Sequence, residues 1–294
     1  LKTSRDMRNI VFFSAFTVLL LVSLTSCSRT VIPVNQLPAD STITDIELEG
    51  YVNRSHIAIL NRKPTNSELV RHLSQLAIDR YNRDIRRTYI EGLQSTTDSK
   101  WVAWKYLSDR LIEGTDTSYF TQRTDQLDYL ISTTSNPTYK IYLMEQRNRL
   151  SHAIGVANGW AAGDSAYTTM TMWMIQLPIY DEINMGTENF VVSTYNHFYH
   201  RYPSQNELFE ASKMVDGAYG NLFGSNANSR LAFLKIFFEQ DEYLQGLVIS
   251  NTEMYLLRNP TPVESFEYTT KLKAEWDFLD LQNELLSSLE YVKG

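Results

Sequence analysis

Cysteine is nearly absent from the chain. Cys27 is the only one among 294 residues, so no disulfide can form within the chain, and no set of cysteines can ligate zinc or attach haem. Glycine and proline are scarce, 12 and 8, which excludes collagen-like and low-complexity architectures. Positive charge is not in excess. Lys and Arg number 27 against 34 acidic residues, a net charge of −7, and no basic field points to nucleic acid. Long apolar runs are missing too. The uncharged stretch from Ile10 to Val22 would rise about 20 Å as helix, short of the roughly 30 Å hydrocarbon core. The remaining composition is globular, 43% hydrophobic and 21% charged, with enough chain for one large domain or two modest ones.

Signatures of chemistry are equally thin. No Gly-x-Ser-x-Gly turn occurs, and Gly217, Gly220 and Gly224 lack the spacing and lysine of a phosphate loop. His197 and His200 stand three apart, but in His-Phe-Tyr-His, without the glutamate of a zinc helix and with no third ligand evident. His56, His72 and His152 are scattered, Ser151 and His152 are mere sequence neighbours, and the pairs Asp181-Glu182 and Asp241-Glu242 are generic. No catalytic residue, metal or cofactor is assigned.

The amino-terminal segment is the most specific part of the chain. Arg8 follows Met7, the expected start, with residues 1–6 an upstream extension; the apolar run comes next, then Leu24-Thr25-Ser26-Cys27. A basic start, a short apolar stretch and small residues at the end describe a secretory signal. The four final residues resemble the lipobox of bacterial lipoproteins. The resemblance implies cleavage before Cys27 and acylation of its thiol and new amino group, several chains anchoring far more firmly than one. It also implies that no free thiol remains for catalysis. Ser28, which is not acidic, resembles cargo of the Gram-negative outer membrane, and the absence of an acidic cluster after it favours a periplasm-facing placement.

Residues 27–44, with Pro33 and Pro38 among Ser, Thr and Asn, read as a lipidated tether. From Asp45 the apolar period is helical, and at least eight helices are expected. The one strand-like alternation is Thr169-Met170-Thr171-Met172-Trp173-Met174. The reading is an all-α, irregular helical bundle: an N-terminal part at 45–154, a Met- and Gly-rich insertion at 155–186 and a C-terminal part at 187–294.

An internal repeat supports this. Arg62-Lys63-Pro64-Thr65, Arg201-Tyr202-Pro203-Ser204 and Arg258-Asn259-Pro260-Thr261 each lead, three residues beyond the hydroxyl, to Glu68, Glu207 and Glu264. Hydroxyl and glutamate at that spacing form a capping box, and the proline ends the preceding helix. Each copy is therefore helix, tight turn, capped helix, with the arginine expected on the closing carbonyls of the upstream helix. Val52, Val191 and Val248 stand twelve residues before the prolines. The downstream ends Asp241-Glu242-Tyr243 and Leu289-Glu290-Tyr291 match, while the first copy ends loosely near Trp101. The pattern resembles helical modules of bacterial envelope and secreted proteins of unknown function. Spacings of 139 and 57 residues between prolines argue against a regular solenoid.

The insertion holds Met170, Met172, Met174 and Met185, half the chain's methionines, with Trp160, Trp173 and Tyr180. Such residues fill a core or form a partner-binding face; Trp160, Met170, Met172, Trp173, Met174 and Tyr180 are the candidates for the latter. Trp101 and Trp104 are candidates for stacking on a sugar. Residues 54–113 hold 11 basic and 7 acidic residues and residues 239–294 hold 4 and 11, an asymmetry that suits headgroups or a docking partner.

These features point to a non-enzymatic outer-membrane lipoprotein, an accessory or scaffolding subunit of an envelope complex. A glycan- or cell-wall-binding lipoprotein and an envelope hydrolase with an unrecognised site are the alternatives. Cys27→Ala is expected to abolish acylation and release the protein from the outer membrane, or to leave the precursor uncleaved. Metabolic labelling with a fatty acid and membrane fractionation read this; a Cys27→Ala protein that matures and fractionates unchanged is incompatible with a lipobox.

Overall fold

The computed structural model describes residues 42–294; Cys27, the apolar run before it and nearly all of the tether lie outside the described residues. Those residues build an all-α bundle of fifteen helices with one small antiparallel hairpin. A first module comprises α1 (Asp45–Leu60), α2 (Asn66–Leu76), α3 (Arg83–Gln94) and α4 (Thr97–Leu111). After it come α5 (Thr117–Thr133), α6 (Pro137–Ala162), α7 (Tyr167–Met174) and α8 (Pro178–Ile183). The second module is α9 (Thr187–Tyr199), α10 (Gln205–Val215), the hairpin β1 (Gly220–Leu222) and β2 (Ser225–Ala227), α11 (Arg230–Phe238) and α12 (Asp241–Leu256). Helix α12 also opens the third module, which continues through α13 (Pro262–Ala274), α14 (Phe278–Leu286) and α15 (Leu289–Lys293).

The repeated sequence builds the same turn three times. Asn61, His200 and Leu257 end the upstream helices in left-handed backbone, with φ of 51°, 54° and 54°. Thr65, Ser204 and Thr261 then cap α2, α10 and α13, each accepting from the third helical N–H. The side chains of Glu68, Glu207 and Glu264 accept from the cap N–H at 2.7 Å in every copy.

The arginines differ from the sequence reading. They leave the closing carbonyls of the preceding helix and donate to the next residue's carbonyl and, bidentately, to the cap glutamate: Arg62 to Glu68 at 2.8 and 2.7 Å, Arg201 to Glu207 at 2.9 and 2.7 Å, Arg258 to Glu264 at 2.8 and 2.7 Å. The planar guanidinium matches the carboxylate, which the cap has already oriented. A second carboxylate closes the fork, Glu242 on Arg201 and Glu290 on Arg258, each the second residue of its helix. In the first module Asp98, second in α4, acts on Arg62 through space. Burial pushes the Glu207 carboxyl up, but Arg201 and the Ser204 cap outweigh it and hold it at about 2; Arg258 holds Glu264 at about 2 as well.

Two apolar cores result. The larger runs from α4 to α12, with Phe278 of α14, and includes Tyr180, Tyr195, Phe233 and Phe237. The smaller joins first module to last, with Tyr51, Leu76 and Ile90 against Leu281, Leu285 and Val292. The three module valines are fully buried. Helix α15 packs on α1, where Arg54 donates to the carbonyls of Tyr291 and Val292 at 2.8 Å. The charge asymmetry is partly consumed inside this closure. Arg83 and Arg87 grip the buried Glu284 at 3.0 and 2.6 Å, and Arg86 donates to the Ser287 carbonyl at 2.8 Å.

The Thr169–Met174 alternation is helical, within α7. Tyr167, Met170, Thr171 and Met174 are buried at i, i+3, i+4 and i+7, a helical stripe hidden in the alternating letters. Helix α6 runs straight through Gly155 and Gly159, so the expected boundary at residue 155 falls inside a helix.

Ser204→Ala is expected to cost ~0.5–2 kcal/mol of stability. Arg201→Ala is expected to cost more, because it strands Glu207 and Glu242 together. Urea denaturation tests both, and an Arg201→Ala protein no weaker than Ser204→Ala would show that the fork does not hold the module.

Candidate functional site

A cleft of about 480 Å³ opens along the seam between the two cores, within the range of ~300–1,000 Å³ seen for small-molecule sites. Its walls come from α1, α4 and α12, closed by residues of α7, α9, α14 and α15. Val102, Ala103, Ala58, Leu247, Met254 and Phe278 give it a mainly apolar surface. Gly246 permits the close approach of α9 to α12, since a Cβ there would run into the Phe198 carbonyl oxygen.

One end of the cleft is polar. Arg110, near the end of α4, donates to the His197 carbonyl and to Ser250 Oγ, the latter at 3.3 Å. His200 Nε2 lies 2.9 Å from Ser250 Oγ and 3.2 Å from the Gly246 carbonyl. A carbonyl only accepts, so the Gly246 contact is a hydrogen bond in the tautomer with the proton on Nε2, which then shares that proton between the two oxygens. In that tautomer Nε2 has no free lone pair with which to take the serine proton. His197 Nδ1 meets the Tyr180 hydroxyl at 3.0 Å, and burial, with the charge of Arg110, pushes its imidazole down to about 4. The polar end thus sets a serine hydroxyl beside a guanidinium that no carboxylate contacts among the described residues.

The residues singled out in sequence lie elsewhere or play other parts. Trp160, Met170, Met172, Met174 and Tyr180 are buried in the larger core, and Trp173 is half-buried, stacked on His152 at 5.0 Å. The chain's own helices cover them, which corrects their reading as a partner-binding face. Trp104 is buried and Trp101 half-buried, the rings edge-on at 5.9 Å, so they do not form the flat exposed pair that sugar stacking needs. His197 sits in the last turn of α9 and His200 beyond it, and among the described residues no group of three His, Cys, Asp or Glu could hold a metal. The cleft residues Arg54, Arg110 and Ser250 escape sequence reading because they sit singly on three helices.

His56 and His72, far apart as letters, pack together with ring centroids 5.3 Å apart, and His72 lies edge-on to Tyr89 at 4.9 Å. Neither ring nitrogen of His56 has a hydrogen-bond partner among the described residues. Two other apolar features face outward. Val70, Phe209 and Phe266, each six residues after a module proline, are exposed. At the turn between α5 and α6, Leu143 alone is buried between residues 132 and 145, while Tyr129, Tyr139, Ile141, Tyr142 and Met144 are exposed.

Comparison with known proteins adds no relative: no family model, curated protein or solved structure matches the chain.

The buried histidines set an acid limit. Burial lowers His56 to about 4, with the charge of His72 adding to it, and His72 and His200 are also lowered by burial. The folded state prefers them neutral, so their contribution is complete above the unfolded value near 6.5 and is lost as pH falls toward 4. For His56 the loss is roughly 3 kcal/mol. Thermal melts are expected to drop steeply between pH 6.5 and 4; a constant melting temperature across that window would contradict this.

Proposed function

We propose that the protein is a non-enzymatic, lipid-anchored accessory or scaffolding subunit of a Gram-negative envelope complex, held to the outer membrane through Cys27 and facing the periplasm. The observation that carries the partner reading is the α5–α6 turn. Ile141 is 69% exposed and Tyr142 54%, with Tyr139 stacked on Tyr142 at 6.2 Å and Tyr129 and Met144 exposed beside them. Contiguous exposed apolar residues of this kind mark protein interfaces, and tyrosine contributes area at low entropic cost. The exposed Val70, Phe209 and Phe266 add further apolar contact points. The anchor rests on the resemblance of Leu24-Thr25-Ser26-Cys27 to a lipobox. No helix of the described residues is long and apolar enough to cross a membrane.

The test is affinity capture from detergent-solubilised envelopes. A stoichiometric membrane-protein partner is expected with the natural chain, and its loss with Ile141→Asp and Tyr142→Asp combined. Both side chains are solvent-exposed, so the variant should keep its helicity and cooperative melt. A partner retained at full stoichiometry would remove the interface from this turn, and co-sedimentation with peptidoglycan in place of a protein partner would favour the glycan reading.

A further inference from the structure

We propose that the seam cleft is a binding site for a single-chain anionic amphiphile, a fatty carboxylate, with its head on Arg110 and Ser250 and its chain along α1, α4 and α12. The shape and lining call for an apolar body: Ala58, Val102, Ala103, Leu247 and Met254 line a volume of about 480 Å³. The charge calls for a negative head. Arg54, Lys105 and Arg110 line the cleft against one acid, Asp109, which already pairs with Lys105 at 2.8 Å.

Arg110 stands apart from most arginines of the bundle. Arg201, Arg258, Arg149 and Arg230 all meet carboxylates within ion-pair distance. Arg110 meets two neutral oxygens, those of His197 and Ser250, and no carboxylate among the described residues. A guanidinium has five N–H donors, so donors remain beyond these two contacts. Ser250 Oγ receives Arg110 and His200, which leaves its own hydroxyl hydrogen for a ligand oxygen. A carboxylate accepting from both would complete each group, whereas a cationic head would meet Arg110 at close range. Ile57 and Leu257, exposed apolar residues among those lining the cleft, add apolar surface for an alkyl chain.

Calorimetric titration of the full chain carrying Cys27→Ala, in detergent-free buffer, tests this with three chain-matched probes: dodecanoate, dodecanol and dodecylammonium. Dodecanoate is expected to bind tightest and dodecylammonium weakest. Arg110→Gln is expected to weaken dodecanoate by about tenfold or more while leaving dodecanol unchanged, with Arg110→Lys retaining part of the preference. Ser250→Ala, which spares the Arg110–His197 contact, is expected to weaken dodecanoate less, so the proposal stays testable if the arginine variants fold poorly. Ala103→Phe, which fills the cleft, should abolish binding of all three. Equal binding of the three heads, or dodecanoate binding indifferent to Arg110 and Ser250, would overturn the proposal, as would no binding of any probe. Capture of a protein partner through Ile141 and Tyr142 is independent of these results, so the two readings can fail separately.

Discussion

A guanidinium bonded bidentately to the cap glutamate holds the turn of each module, and in the second and third modules a second carboxylate closes on it. The cap glutamate of the following helix accepts from Arg62, Arg201 or Arg258, and for Arg201 and Arg258 a second acid arrives two helices later. Isolated surface ion pairs contribute little to stability, because flexible side chains lose entropy and water screens the charge. Here the glutamate is already fixed by the cap N–H, so the arginine joins an ordered partner. In the second module the guanidinium also lies over the rings of Tyr195 and Tyr199, at 5.1 and 5.6 Å. The fork fixes the angle at which one helix leaves and the next begins, and the burial of Val52, Val191 and Val248 depends on that angle.

The cleft is a consequence of how such modules are joined. Sharing α12 lets the third module continue from the second, and α14 and α15 return to the first. Two cores form, with α12 contributing Tyr243 to one and Val248 and Tyr255 to the other. Where two convex cores meet along one helix, side chains fill the seam incompletely. The floor is tied by Gln282, which donates to the Tyr255 hydroxyl at 2.6 Å and accepts from Gln94 at 2.8 Å. Such satisfied buried groups keep the seam in one arrangement.

Charge and apolar surface are divided between folding and exposure. Arginines of α3 are spent on closing the carboxyl-terminal helices, and Arg149 and Arg230 converge on Asp181 of α8. Met170, Met172 and Met174 are consumed by the core, while Met185 stays exposed. The tyrosine-rich turn of α5 and α6 stays outward, as do Val70, Phe209 and Phe266.

The all-helical class, the capped turns and the position of each module proline are local properties. A hydroxyl and a glutamate three residues apart, or an apolar stripe at 3.6 spacing, act within a few residues and are legible as letters. The expected insertion boundary failed at Gly155 because a glycine can be tolerated inside a long helix when tertiary packing supports it. The alternation at Met170–Met174 was ambiguous because the same letters satisfy both periods, and burial on the larger core chose the helix. The partner of each arginine, the meeting of His56 with His72 and the joining of Arg110 to Ser250 needed the tertiary structure. The longest of those contacts join separate helices, 140 residues apart for Arg110 and Ser250 and 238 for Arg54 and Val292, and a long-range contact leaves no period or motif in the chain from which it could be read.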